Sequence, residues 1–406
     1  MTARGMTATG GLRGRRVALG VTGGIAAYKA IECVRLLTEA GAEVRVVMTP
    51  EATRFVAPLT FEALSDHPVA SDWLKAKGAG EPHVELSQWA EVVAIVPATA
   101  NTIAKLATGL ADEILSGTVL ASRAPLVLAP AMHDRMFSHP TTQEHLRTLT
   151  SRDAVVVMPT RGRLASGESG MGRLAAASRI VATIEAALNG RYNLTGTRVV
   201  VSAGGTREAI DPVRFVGNFS SGKMGRALAE VAAARGAEVT LVTTVPADLE
   251  GVHEIAVTSA REMLAALQSA LPQADILVMA AAVADYAPET AAPSKLHRGK
   301  GPLSLTLPPN VDVLQQLAPR DGLFRVGFAA ETEELTSRAR EKLERKGLDM
   351  IVANQVGSPE QGLGSDYNAV TILFAKGAPI EVPRASKGEV AARIWDAIDA
   401  ARHPAS

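Results

Sequence analysis

The chain has 406 residues, room for two or three domains at about 150 residues each. Lys plus Arg and Asp plus Glu both total 42 and aromatic residues make up 4%. The balanced charge counts against a polyanion binder working through a basic face, and so few rings leave little material for a base-stacking platform. The single cysteine, Cys33, excludes a disulfide scaffold and a multi-cysteine metal centre and fits a reducing compartment. No apolar run approaches the roughly 20 residues that span a bilayer, and the N-terminus MTARGMTATGGLRGRR lacks the apolar core of a secretory signal. Residues 1–14 are read as a disordered tail ahead of a soluble, cytoplasmic protein that engages neither nucleic acid nor membrane.

In chain order, Arg16–Val21 reads as a short apolar strand followed by Thr-Gly-Gly. Residues 25–40 read as a helix, with Ile31, Val34 and Leu37 at helical spacing and Gly41 as its terminator. Strands are predicted at Glu43–Met48, 91–96, 125–129 and 154–158, with helical stretches between them. That alternation implies a parallel sheet covered on both faces. Residues 189–196, Asn-Gly-Arg-Tyr-Asn-Leu-Thr-Gly, are mostly turn formers and read as a linker between a domain over 15–188 and a second over 197–406. The pattern then restarts with a strand at Arg198–Ala203, Gly204-Gly205-Thr206, a long loop and a helix from about Lys223. Strands at 239–243, 275–280, 324–328 and 349–353 follow, then a hairpin around Lys376-Gly377 and a helix over 387–401. The fold class is α/β, two doubly wound domains in tandem.

Several segments carry chemistry. Gly20-Val-Thr-Gly23-Gly24-Ile25 lies between a strand and a helix, where glycines let the backbone approach a phosphate and helix N–H groups bind it. The G-x-G-x-x-G fingerprint is not matched, and the second strand ends in Met48-Thr49-Pro50, a hydroxyl with no ribose-binding acid. This favours flavin mononucleotide (FMN) over NAD; the alternative is a glycine turn without a ligand. Pro97-Ala98-Thr99-Ala-Asn101 stands at the carboxyl end of a buried strand, where open α/β sheets bind ligands. Pro130-Ala-Met132-His133-Asp-Arg-Met-Phe137 also follows a strand, where its Met and Phe equally suit a core, and residues 164–174 form a glycine-dense loop read either as a movable lid or as a disordered surface loop. His83, taken alone, is a surface or capping residue.

In the second half, Gly217-Asn-Phe-Ser-Ser-Gly-Lys-Met224 nearly spells a P-loop but ends in Met224, which has no hydroxyl for Mg²⁺. Arg338, Lys342 and Lys346 repeat every four residues on a helix predicted over 333–346. A solvated face and an anionic ligand such as a triphosphate both account for that stripe.

Together these segments resemble, over residues from about 15 to 402, the bifunctional phosphopantothenoylcysteine decarboxylase/phosphopantothenate–cysteine ligases of coenzyme A biosynthesis. The segments 20–29, His83, 97–101 and 130–137 are similar to flavin-dependent cysteine decarboxylases. Val201-Ser-Ala-Gly-Gly-Thr-Arg-Glu, Asp211-Pro-Val-Arg214, Asn218-Phe-Ser-Ser-Gly-Lys-Met-Gly225, Ala280-Ala281-Ala-Val-Ala-Asp285-Tyr and Gly327-Phe328-Ala-Ala-Glu-Thr332 resemble the ligase. The resemblance implies a flavodoxin-like N-terminal domain and a Rossmann-like ligase domain.

For the C-terminal domain it implies that 4′-phosphopantothenate attacks the α-phosphate of CTP, giving an acyl-cytidylate and pyrophosphate, after which cysteine's amine displaces CMP. Mg²⁺ would bridge the phosphates, and its protein ligands are not specified by the motifs. Ala280, Ala281, Asp285, Lys295, Pro308, Pro309, Asn310, Val311, Phe328, Lys342 and Lys346 match CTP-site positions. Asn218 matches the position that handles the activated acyl group, and Arg214 is a candidate carboxylate or phosphate partner. For the N-terminal domain it implies FMN-dependent oxidative decarboxylation of 4′-phosphopantothenoylcysteine, then reduction to 4′-phosphopantetheine. FMN would be held by Gly23, Gly24, Ile25, Thr49, Pro97, Ala98, Thr99, Asn101 and Met132, with His83 as base.

Two departures stand out. His133 replaces the asparagine that grips the substrate carboxylate, with Phe137 in place of tryptophan. Ser166 replaces the loop cysteine that protonates the enethiolate, and a hydroxyl is a much weaker acid than a thiol. The resemblance further implies homo-oligomers: decarboxylase trimers and ligase dimers, together a dodecamer. Competing readings are a flavin decarboxylase of other cysteine-terminated substrates, which would not use CTP, and a lapsed flavin-binding regulatory subunit.

Overall fold

The computed structural model describes residues 11–72, 81–163, 167–297, 303–317, 319–331, 335–355 and 365–403. The chain divides into two compact units, Met1–Asn193 and Leu194–Ser406. No helix among the described residues is long and apolar enough to cross a membrane.

The first unit is built on β1 (Arg16–Val21), β2 (Glu43–Met48), β3 (Val92–Ala98), β4 (Leu126–Pro130) and β5 (Val155–Val156), all parallel, in the order β2-β1-β3-β4-β5. Successive side chains of a strand face opposite ways, and both faces here are buried. Val17, Leu19, Val21, Val92, Ala94 and Val96 join one core with the helices Ala30–Glu39 and Ala177–Leu188. Ala18, Val93, Ile95 and Leu128 join another beneath Pro82–Trp89, Ala100–Thr108 and Ile114–Ala121. A central strand apolar at every position, such as β3, follows from this double coverage.

Three local differences from expectation have physical causes. Residues 11–14 are not tail: Leu12 is 1% exposed within the first core, and burying a leucine stabilises by roughly 1.5–3 kcal/mol. The backbone of Gly14 also bonds to Gly41. The helix expected over 25–40 is two pieces, a 3-10 turn Ile25–Lys29 and the α-helix Ala30–Glu39. The strand expected over 154–158 pairs only at Val155 and Val156. In addition, the segment read as a mobile lid contributes an antiparallel hairpin, β6 (Thr160–Arg163) with β7 (Ser169–Arg173).

The second unit contains β8 (Arg198–Ala203), a small hairpin of β9 (Arg207–Ala209) and β10 (Phe215–Gly217), then β11 (Glu238–Thr243), β12 (Val252–Ala256), β13 (Ile276–Met279), β14 (Phe324–Glu331), β15 (Met350–Gln355), β16 (Tyr367–Phe374) and β17 (Ile380–Ser386). Its main sheet runs β12-β11-β8-β13-β14-β15-β16-β17, parallel as far as β15 and closed by the antiparallel pair β16–β17. One face packs on the helices Lys223–Ala234 and Lys387–Arg402, where buried Trp395 donates its indole N–H to the Leu228 carbonyl at 3.0 Å. The other face packs on Ala260–Ala270, Val313–Gln316 and Leu335–Arg345. In each unit the strand order reverses beside the first strand, between β1 and β3 and between β8 and β13. Such switch points open a crevice at the carboxyl ends of the strands.

Candidate functional site

At the β1/β3 switch point the buried Thr22 hydroxyl donates to the Pro97 carbonyl at 2.7 Å and accepts from the Thr99 N–H at 3.2 Å. Thr99 in turn caps the helix Ala100–Thr108, its hydroxyl accepting from the Thr102 N–H at 3.4 Å. The two strand ends are thus stitched together, with Gly23 and Gly24 on one lip and Thr99 and exposed Asn101 on the other. A Cβ at Gly23 would lie 2.3 Å from Cβ of Glu51, and one at Gly24 3.3 Å from Cγ2 of Thr99. At Gly23 the backbone therefore lies closer to its neighbour than any side chain permits, while at Gly24 a methyl would be tight. Thr49, 2% exposed, accepts the Ala52 N–H at 3.2 Å, holding the third lip of this cradle. Ile25 is 66% exposed beside it, an apolar surface with no protein cover. Glycine-shaped backbone, hydroxyls and an open apolar side chain fit a phosphorylated, flat-ringed ligand such as FMN.

Met132 and His133 join this cradle through backbone. The Ala131 N–H donates to the Ala98 carbonyl at 3.2 Å and the Met132 N–H to the Gly172 carbonyl at 3.0 Å. The Asp134 carboxylate accepts the Met171 N–H at 2.9 Å. Glycine is required in β7 because a Cβ at Gly172 would meet the Met132 carbonyl oxygen at 2.1 Å and one at Gly170 the Asp134 Cβ at 2.6 Å. Nδ1 of His133 accepts the Arg135 N–H at 3.2 Å, so the ring proton sits on Nε2, 3.1 Å from Oε2 of Glu168. His83 stands apart from these contacts, in the first turn of Pro82–Trp89 with Nε2 3.9 Å from the Glu81 carboxylate. Ser166 lies outside the described residues.

At the β8/β13 switch point the loop after β13 is laced to the loop after β8. Ser202 accepts the Ala281 N–H at 3.1 Å, Gly204 the Ala282 N–H at 2.8 Å and Thr206 the Ala284 N–H at 2.9 Å. Asn218 joins them, its amide donating to the Val283 carbonyl at 3.0 Å while its own carbonyl closes over Gly205. Further along, the Asn310 N–H donates to the Asp285 carbonyl at 2.8 Å and its side-chain amide to Ala284 at 3.0 Å, which fixes 308–311 against 284–287. Lys342 donates to the Phe328 carbonyl at 2.8 Å, and Lys346 pairs with the Asp312 carboxylate. Burial pushes the Lys346 ammonium below the usual lysine range, and the nearby Asp285 charge partly restores it. Arg338 is exposed on the same helix.

Arg214 is held in a clasp. Its guanidinium donates to Oδ2 of Asp211 at 3.2 Å and to the Leu296 carbonyl at 3.0 Å. Asp211 is buried, which on its own would raise its pKa. The Val213, Leu296 and Arg214 N–H groups and the Arg214 charge more than reverse this and hold the carboxyl below the usual range. The clasp fixes the backbone beside exposed Lys295, so Arg214 acts structurally at this point. Thr22, Ser202, Asp211 and Asp312 went unassigned in the sequence. Only Asp211, ahead of a proline, and Asp312, ahead of a short helix, carried a turn or cap signal.

Two nucleotide-type cradles at the switch points of two doubly wound sheets define a tandem α/β enzyme. Residues 6–189 match the family described as Flavoprotein, and residues 194–401 match the DNA/pantothenate metabolism flavoprotein C-terminal domain. The coenzyme A biosynthesis bifunctional protein CoaBC of Mycobacterium tuberculosis is 45% identical over 403 residues, covering 95% of this chain and 96% of that one. The Bacillus subtilis CoaBC is 43% identical over 397 residues, covering 96% and 98%. A crystal structure of the C-terminal domain of a CoaBC is 40% identical and covers 51% of this chain and 95% of that one, with a TM-score of 0.43. The chain belongs to the CoaBC family of bifunctional coenzyme A biosynthesis proteins.

Proposed function

We propose that the second unit joins 4′-phosphopantothenate to cysteine at the expense of CTP, and that the first unit decarboxylates the product to give 4′-phosphopantetheine. The observation that carries this reading is the pair of separately built cradles, one per unit, in a chain of which 95% aligns with the Mycobacterium tuberculosis CoaBC.

In the second unit, the substrate carboxylate attacks the α-phosphorus of CTP and expels pyrophosphate; cysteine's amine then attacks the acyl carbon and expels CMP. Both steps gather negative charge on transferring groups, so fixed donors matter most. Lys342 and Lys346 supply cations, the laced Ala280 and Ala281 segment supplies backbone, and Asn218 is read as the residue that handles the acyl group. Asp285, residues 308–311 and Lys295, which lies in a loop, are read as the nucleoside side of the site. Among the described residues no group of three or more His, Cys, Asp or Glu could hold a metal ion. Mg²⁺, as in the family resemblance, is read as accompanying CTP, with its protein ligands unassigned.

In the first unit, Gly23, Gly24, Thr49 and Thr99 would hold the phosphate end of FMN. Ile25, Pro97, Ala98, Asn101 and Met132 would border its ring. Bound FMN would supply reversible two-electron chemistry that the side chains lack. His133 presents an N–H that can orient the substrate carboxylate, and His83 is read as the proton acceptor. As in the family resemblance, the working form is taken to be a homo-oligomer in the cytoplasm.

The reading is tested with the purified full-length chain. A flavin absorption band should be present, pyrophosphate release should require CTP, phosphopantothenate and cysteine together, and CO₂ should follow. A colourless protein, or pyrophosphate release indifferent to cysteine and phosphopantothenate, contradicts it.

A further inference from the structure

We propose that Glu168 is an internal carboxylate resting on the substrate-carboxylate position of His133, so that an incoming substrate has to displace it. The inference rests on the decarboxylase reading of the first unit. It starts from the tautomer: Nδ1 of His133 is taken by the Arg135 N–H, which leaves one ring proton, on Nε2. That proton points to Oε2 of Glu168 at 3.1 Å. One N–H serves one strong acceptor at a time, and the acceptor it already holds has the chemistry of the substrate's terminal group.

Glu168 is delivered there by the hairpin. It directly precedes β7, whose register is pinned by Ser169 opposite Arg163 and Gly170 opposite Gly162. β7 is seated on the turn that carries His133 by the Asp134–Met171 and Met132–Gly172 hydrogen bonds and by the close approach of Gly170 and Gly172. The hairpin thus brings Glu168 to the imidazole, with the glutamate side chain itself still largely exposed.

The pair is also weak enough to exchange. The His133 and Glu168 side chains are 32% and 65% exposed, and solvent-exposed pairs of this kind change an equilibrium by about twofold to fivefold. Glu168 therefore raises the apparent KM of carboxylate-bearing substrates by that factor and leaves ligands without the carboxylate unaffected. It acts as a positioning and specificity residue, through His133.

The test uses full-length flavin-loaded enzyme. Glu168→Ala should lower KM for phosphopantothenoylcysteine about twofold to fivefold with kcat nearly unchanged. Glu168→Gln, which keeps a weaker acceptor, should fall between. Calorimetric affinity for the carboxylate-free product 4′-phosphopantetheine should not change in either variant. In a His133→Ala background the Glu168 effect should vanish, as expected of two residues acting as one unit. An unchanged or raised KM, equal tightening of the product, or an effect that persists without His133 overturns the inference while leaving the decarboxylase reading intact. A wild-type chain that never turns the substrate over overturns both.

Discussion

The Lys342 ammonium donates to the backbone carbonyl of Phe328 across 2.8 Å. One turn later Lys346 reaches Asp312 with its side chain 7% exposed. Two cations that would repel on a solvated helix each find an acceptor within the unit, which a fully solvated face would not provide. Charge-assisted contacts of this kind contribute roughly 1.5–3 kcal/mol each. On the proposed ligase reading Lys346 also meets the CTP phosphates, and loss of one such contact in Lys346→Met is expected to raise KM for CTP roughly tenfold to a hundredfold, measured by pyrophosphate release.

The same lysine gives a pH dependence. Because burial lowers its pKa, the ammonium is present at low pH and is lost, as pH rises, earlier than from a free lysine. KM for CTP should climb on the alkaline side before the usual lysine range, and Lys346→Arg should flatten that climb, since guanidinium stays protonated. For folding the sign is opposite: the fold favours the neutral amine, so stability gains as pH rises through the lowered pKa toward 10.5.

Gly23→Ala should empty the first cradle. The added methyl would sit 2.3 Å from the Glu51 Cβ and 3.0 Å from its carbonyl carbon, so backbone has to move. The expected result is purified protein with little flavin absorbance and unimpaired pyrophosphate release. Normal flavin content in this variant would show that the glycine pair serves packing alone.

Cys33 is buried, and burial with the adjacent Glu32 charge pushes its thiol up to about 12. At pH 8 the thiolate is then roughly one part in ten thousand. Iodoacetamide should leave the folded chain unlabelled and add one group after denaturation. Cys33→Ala should not alter the ratio of enethiol to reduced product, so the proton for the final reduction comes from elsewhere.

Asp211→Asn should open the clasp beside Lys295, because an amide NH₂ would face the Leu296 N–H and the Arg214 guanidinium. KM for CTP should rise with little loss of secondary structure by circular dichroism. In the wild type, the depressed carboxyl contributes stability above its ordinary value of 3.8 that is lost only as pH falls through the lower folded value. The variant should lack that acid-range slope.

Strands with unbroken apolar runs, β1, β3, β8 and β13, were legible in the sequence because both their faces are buried, and so were the switch-point loops that follow them. What escaped is what tertiary contact decides. β7, Ser-Gly-Met-Gly-Arg, has no alternating pattern, because its glycines answer to Met132 and Asp134 and not to a core. β12 is an edge strand with no fully buried position, so it carried no apolar signal. The motifs singled out Arg214 and His133 along the chain, yet not their partners: Asp211, Leu296 and Glu168 lie between 3 and 82 residues away. Side-chain spacing along one segment is blind to such pairs.

Each half of the polypeptide closes its own sheet and core, with the division falling between Asn193 and Leu194. Severing the peptide bond there is expected to yield a mixture of two independent catalysts that still performs the whole conversion. What the covalent tether adds is then proximity, a raised effective concentration of one catalyst near the other's product, and dilution of the severed pair should expose it as a lag before CO₂ appears.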